Sequence, residues 1–220
     1  MADTSRYNIQ KFGTNGDSLT QWGSTGTGDV QFDDPIGITA DTSGSVYALD
    51  SGNNRVQKFT PGGVLIDSWG TEGEGEGQFK NPQGISIDTS NRIYVIGTGN
   101  RRMQRFTSGG IFLLAWGTEG DGQSQFTDPI GISIYESQTS VYVLDREVDR
   151  LQKLTSLGGF IQMWGSSESG PDELDLPHEI GVDQSNWQVY LADTGNNRIQ
   201  KFQSTGAFIS EWGSEGYEDD

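Results

Sequence analysis

The chain has 220 residues, a net charge of −17, 32 glycines, one histidine and no cysteine. Uniform acidity opposes nucleic-acid binding, which draws on clustered Lys and Arg, and it opposes adhesion to anionic membranes. Without cysteine there are no disulfides or thiolate metal sites, and no apolar run reaches the length of a membrane-spanning helix.

A Trp-Gly pair recurs at Trp22, Trp69, Trp116, Trp164 and Trp212, at intervals of 47, 47, 48 and 48 residues. Phe32, Phe79, Phe126 and Leu174 lie ten residues after the first four tryptophans. Tyr47, Tyr94, Tyr142 and Tyr190 precede Phe59, Phe106, Leu154 and Phe202 by 12 residues. Registers that agree over a whole chain mark a repeat architecture. They divide it into an opening partial unit, 1–31, and full units 32–78, 79–125, 126–173 and 174–220.

The opening "MADTSRYNIQKF" matches "LADTGNNRIQKF" at Leu191 to Phe202, which sets Met1 inside a second strand. The opening unit is therefore expected to supply only a third and a fourth strand. In the next unit "GITAD", "VYALD", "RVQKF" and "VLIDSW" read as four short strands. They are separated by the turns "DTSGS", "SGNN" and "TPGG". The later units repeat this scheme. Their extra residue falls in the first hairpin, in "YESQTS" and "DQSNWQ", where a turn absorbs an insertion. Consecutive apolar residues such as Val64, Leu65 and Ile66, or Ile111 to Leu114, predict strands buried on both faces. No window has helical periodicity. The fold class expected is all-β, with four-stranded antiparallel blades and about 4.5 blades in the chain.

The stretches "PIGITADTSGSVYALDSGNNRVQKF" and "YLADTGNNRIQKF" resemble NHL repeats. The resemblance covers nearly the whole chain and implies a β-propeller, commonly of six blades. Six units would need on the order of 280 residues. On that reading the chain is a single propeller domain over 1–220, an incomplete six-bladed ring and a fragment. Fold alone does not carry function. The family includes protein-binding scaffolds, sensor ectodomains, RNA-binding domains and metal-dependent lyases.

The lyases of this family gather several histidines on a metal, one of them in a P-H-G-I stretch. Here His178 is the single histidine, in "PHEIGVD", and Glu179 stands where the glycine is expected. The matching positions elsewhere are Ile36, Gln83 and Ile130, which cannot form a zinc cluster. Against RNA binding, "GNRRMQRF" offers only Arg101, Arg102 and Arg105 on an acidic background. The pairs Asp50 and Arg55, Asp145 and Arg150, Asp193 and Arg198 recur at matching turns and read as structural devices. The third unit breaks the pair with Gly97 opposite Arg102.

The acidic connections hold Glu72, Glu74 and Glu76, and then Glu168, Asp172, Glu173 and Asp175. Hard cations take several carboxylate oxygens, so calcium is the one ion these stretches suggest, but none matches a D-x-[DN]-x-[DN]-G loop. A solvated linker without a cofactor is the expectation. A ligand face is expected where the connection enters the first strand and where the second strand turns into the third. It carries Gln83 and His178, with Arg101, Arg102, Arg146, Glu147 and Asp149. Most of these depart from the repeat at their positions. Trp187, in the hairpin "SNWQ", is a second contact candidate.

These features favour a non-catalytic scaffold that recognises a protein, peptide or glycan, within a larger exported or cell-surface protein. The alternatives are a metal-dependent lyase or lactonase with its ligands in missing blades, and a structural extracellular repeat segment. No nucleic acid and no membrane insertion are expected. Self-association through open blade edges is.

Overall fold

The computed structural model describes residues 1–135, 140–166 and 170–216. The chain divides into two compact units, Met1–Ala115 and Trp116–Asp220. Every repeat forms a small antiparallel sheet whose strands pair in sequence order. In the first unit, blade 1 consists of Ala2–Asp3, Asn8–Phe12 and Ser18–Trp22. Blade 2 consists of Pro35–Ala40, Val46–Asp50, Arg55–Phe59 and Leu65–Trp69. Blade 3 is formed by Pro82–Ile87, Ile93–Gly97, Arg102–Phe106 and Phe112–Trp116, its last residue lying at the division. In the second unit, blade 4 has Pro129–Tyr135, Ser140–Asp145, Arg150–Thr155 and Phe160–Trp164. Blade 5 has Glu179–Asp183, Gln188–Asp193, Arg198–Gln203 and Phe208–Trp212.

Five blade sheets are thus present among the described residues, correcting both the count of about 4.5 and the expectation of six. The opening unit holds three strands, because Ala2 and Asp3 pair with Ile9 and Asn8. Two residues were enough to seed a pairing that a strand-length pattern does not register. The hairpin residues 136–139 and the linker residues 167–169, which include Glu168, lie outside the described residues, as do residues 217–220.

The core lies between neighbouring blades, and the second strand is its centre. Tyr47, Ala48 and Leu49 are fully buried, as are Ile93 to Ile96 and Val141 to Leu144. Continuous apolar runs are what a strand covered on both faces requires. The fourth strand departs from that expectation: Val64, Ile66, Ile111 and Leu113 are exposed. It is one of the sheet's two edges, paired on one side only.

Within each unit, a blade's trailing face meets the leading face of the next. Trp22 packs on Phe59 at 5.7 Å, Trp69 on Phe106 at 6.2 Å and Trp164 on Phe202 at 6.5 Å between ring centroids. Such tilted pairs contribute about 0.5–1.5 kcal/mol beyond the area they bury. A glycine in the turn before the fourth strand allows the approach. A Cβ on Gly63 would come within 2.6 Å of Trp22, and one on Gly110 within 2.6 Å of Trp69. A lysine of the third strand completes the joint through a turn carbonyl of the next blade. Lys11 donates to Pro61 O at 3.2 Å, Lys58 to Ser108 O at 2.9 Å and Lys153 to Ser204 O at 3.0 Å.

Candidate functional site

Each repeat holds its incoming connection by a buried polar clasp. In blade 2, Asp50 Oδ1 accepts from Asp33 N at 2.8 Å, and Asp50 Oδ2 accepts from Arg55 Nε at 2.7 Å. Arg55 then donates to the carbonyls of Thr27, Gly28 and Gln31. Gln57 Nε2 also donates to Gln31 O at 2.7 Å, and its Oε1 accepts from Val30 N at 3.0 Å. A buried carboxylate is tolerable only with such a set of donors. Blade 4 repeats the arrangement with Asp145, Arg150 and Gln152. Blade 5 repeats it with Asp193, Arg198 and Gln200, the Arg198–Asp193 contact being 2.7 Å.

Blade 3 has Gly97 in place of the aspartate, and Asn100 takes over part of its duty. Asn100 Oδ1 accepts from Lys80 N at 2.8 Å, and Asn100 Nδ2 donates to Gly73 O at 3.0 Å. A Cβ on Gly97 would come within 2.7 Å of Asn100 Oδ1, so the amide occupies the space that a larger side chain would need. Arg102 still donates to Gly75 O at 2.6 Å. Its Nε, which in blades 2 and 5 meets the aspartate, is buried without a hydrogen-bond partner. Burial lowers the Arg102 guanidinium pKa, with Glu74 pulling it back up.

The clasps fix the connections and turns on which the expected ligand face sits. On blade 3, Gln83 occupies a β-bulge between Pro82 and Gly84 and donates to Asn81 Oδ1 at 2.7 Å. Arg101 sits in the left-handed region with φ 50, and Arg102 belongs to the clasp. On blade 4, Arg146 Nε donates to Asp128 Oδ2 at 2.8 Å, and Glu147 is exposed. Asp149 is buried, with Oδ1 accepting from Leu176 N of blade 5 at 2.8 Å, as Asn54 Oδ1 accepts from Asn81 N at 2.9 Å. His178 is exposed, and its backbone N donates to Ala192 O at 2.9 Å. Trp187 is 56% exposed in the first hairpin, at the opposite end of blade 5 from His178.

The candidates therefore fall into separate groups. Gln83, Arg101 and Arg102 share one end of blade 3. Arg146, Glu147, Asp149 and His178 share the blade 4 and blade 5 turns, with Arg146 and Asp149 already engaged by protein groups. No group of three His, Asp or Glu side chains is gathered for a metal among the described residues. In the acidic connections, Glu74 pairs with Lys80 at 2.5 Å and Glu173 accepts from Gly170 N at 2.5 Å.

The sequence reading passed over two clasp members. The glutamines Gln57, Gln104, Gln152 and Gln200 are fully buried, and their signal was a polar residue recurring at one place in every third strand. Asn100 gave no signal of its own, because asparagines recur at its place; Asn53 and Asn196 differ in donating to the aspartate that blade 3 lacks. An apolar hollow of about 380 Å3 lies between blades 1 and 2 beside Trp22, lined also by Ile9, Phe12, Ile38 and Val46. In blade 2 a tyrosine stands by the tryptophan, Tyr47 lying 6.3 Å from Trp69 between ring centroids.

A model of the NHL repeat matches residues 32–59 and 174–202, the opening three strands of blades 2 and 5 with the connections before them. No curated protein sequence matches the chain. Among solved structures, a streptogramin B lyase aligns with TM-score 0.71 and 17% identity over 97% of this chain and 64% of its own. The virginiamycin B lyase of Staphylococcus aureus aligns with TM-score 0.68 and 17% identity over 97% and 65%. The hydrazine synthase of Kuenenia stuttgartiensis aligns with TM-score 0.61 and 10% identity over 80% and 48%. The chain thus spans just under two thirds of the lyase chains, and at these identities the likeness is one of fold. Two matched repeats, five repeat-spaced blade sheets and the fold likeness to these structures support an NHL-repeat β-propeller.

Proposed function

We propose that the chain is a non-catalytic binding scaffold, part of a larger exported or cell-surface protein, which captures a protein, peptide or glycan ligand on its turn face. The observation that carries this reading is Arg101. Blades 2, 4 and 5 place Asn54, Asp149 and Asn197 at this left-handed position, residue types that tolerate it. An arginine held there at φ 50 costs about 1 kcal/mol or more, and such strain concentrates at recognition sites. Glu147 adds an exposed charge where blade 5 has Gly195. Both sit on turns anchored by buried clasps, so little ordering entropy is lost when a ligand binds. The lyase names belong to the neighbours and bring fold, not activity, to this chain.

The test offers the immobilised chain a glycan array and a random-peptide display library, then titrates any selected binder against Arg101→Glu and Glu147→Lys. Arg146 is spared because its reversal would set two carboxylates together at Asp128. Binding should fall by about tenfold or more, the size expected of a central contact, with an unchanged melting temperature. Selection of no binder, or equal binding by both variants, would remove the reading.

A further inference from the structure

In blades 2 and 5 one carboxylate oxygen gathers two donors of the third strand. Arg55 Nε and Gln57 Nε2 reach Asp50 Oδ2 at 2.7 and 3.2 Å. Arg198 Nε and Gln200 Nε2 reach Asp193 Oδ2 at 2.7 and 2.9 Å. Gly97 removes that carboxylate from blade 3, and Asn100 restores only its other oxygen. Asn100 Oδ1 accepts from Lys80 N at 2.8 Å, as Asp50 Oδ1 accepts from Asp33 N. Asn100 Nδ2 is spent on Gly73 O, as Asn53 Nδ2 reaches Gly26 O. The donors once shared by Oδ2 are still in place. Arg102 Nε is buried without a hydrogen-bond partner. Gln104 is fully buried; its Nε2 gives one hydrogen to Gln78 O at 2.6 Å, and the second has no acceptor among the described residues. The carboxylate that acts on the Arg102 charge is Glu74, which is exposed and bonded to Lys80. In blade 4 Arg150 Nε also lacks a partner, but that guanidinium reaches Asp145 through its Nη2 at 3.1 Å.

We propose that the blade 3 clasp binds a halide ion, chloride by abundance, at the position that the aspartate Oδ2 holds in blades 2 and 5. Arg102 Nε and Gln104 Nε2 are its donors, and it supplies the negative charge that Gly97 leaves out. Burying a donor without an acceptor is costly, so an anion that accepts from both is favoured there. The ion is a single atom because one acceptor position remains and not two. A carboxylate or an oxyanion would set its further atoms against the Asn100 amide, which already stands 2.7 Å from a Cβ built on Gly97. It is monovalent because one guanidinium is to be met, and a second buried charge would have no partner. The net charge of −17 opposes any anion at long range. That field is screened beyond about 10 Å at 0.1 M salt, whereas the two donors act in contact. Both donors also hold the carbonyl of Gln78, so the bound ion fastens the connection that enters blade 3.

The test melts the full chain in sodium gluconate, replaced stepwise by sodium chloride, bromide or formate at constant ionic strength. Screening is thereby held fixed, and gluconate is too large for the position. Wild type should show a saturable rise in melting temperature with either halide, about 3–6 °C at tenfold the dissociation constant. Formate should give none. Gly97→Asp should lose the halide response because its own carboxylate takes the position, and Arg102→Met because donor and charge are gone. A crystal soaked in bromide should show anomalous density in contact with Arg102 Nε and Gln104 Nε2. That measurement uses the wild-type chain and stands even where a variant fails to fold. No halide response in wild type, the result if water serves the two donors, overturns the proposal. So does a full response in either variant, a formate response equal to that of chloride, or bromide density that avoids both donors.

Discussion

Blade 3 lacks the carboxylate around which the other clasps are built, and Gly97→Asp supplies one. Gly97 has φ −93 and ψ 92, an extended conformation open to any residue. The obstacle is Asn100 Oδ1, the end of a side chain that can swing aside as Asn53 does in blade 2, where it donates to Asp50. The new carboxylate would meet Lys80 N, Gln104 Nε2, Asn100 Nδ2 and the unpartnered Arg102 Nε. One charge-assisted hydrogen bond to a sealed donor contributes about 1.5–3 kcal/mol. Replacing glycine adds about 0.4–1 kcal/mol by restricting the unfolded chain. Desolvation of the carboxylate opposes both, although four donors offset most of it. The expected net gain is about 1–2 kcal/mol, and for a chain of this size each kcal/mol raises the melting temperature by about 2–4 °C. Urea unfolding and calorimetry measure it, and a double-mutant cycle with Arg102→Met should return a coupling of about 1 kcal/mol or more. Asp193→Ala is the reverse control: leaving Arg198 buried without its carboxylate should cost about 3–5 kcal/mol. A Gly97→Asp chain that is less stable than wild type, or shows no coupling to Arg102, would falsify the account of the clasp.

The turn glycines separate backbone strain from packing. Gly110 and Gly16 both have positive φ, 77 and 86, so alanine at either costs about 1–2 kcal/mol in conformation. Gly110→Ala must also displace Trp69, a further ~1–3 kcal/mol, and equal losses in urea unfolding would show that the tryptophan does not need the glycine. Acid stability follows from the hairpin carboxylates. Burial works to raise the Asp41 pKa, but hydrogen bonds from Ser43, Ser45 and Tyr47 outweigh it and hold it below 3.8. Hydrogen bonds from Ser185 do the same for Asp183. Their folded-state values lie below their unfolded ones, so their contribution is full above the unfolded pKa and is lost as pH falls through the folded one. Unfolding midpoints should therefore drop below about pH 4, and less so for Asp41→Asn. A midpoint insensitive to acid, or equally sensitive in that variant, would sink this assignment.

The repeat made most of the blades legible, because Trp, Tyr and Phe recur at spacings that only stacked sheets satisfy. The Asp–Arg pairs were legible too, since two charged residues recurring beside one turn point to contact. The three-stranded blade 1 was not legible, because Ala2 and Asp3 pair through backbone groups that no side-chain pattern advertises. The exposure of Val64 and Ile66 was hidden for a different reason: hydrophobicity does not reveal which strand is the edge. At the candidate face, the departures at Arg146 and Asp149 looked alike in sequence. The structure engages Asp149 with Leu176 and Arg146 with Asp128, an outcome that depends on residues far along the chain.

The joint between blades has a consequence for how such a chain can change. Blades 2 to 5 reach back with an arginine and a glutamine to the connection before them, and blades 1, 2 and 4 reach forward with a lysine and a tryptophan to the blade after them. No contact of this set skips a unit. Duplication or loss of one 47-residue segment by unequal crossing-over would rejoin like with like, and the wiring would survive without a compensating mutation.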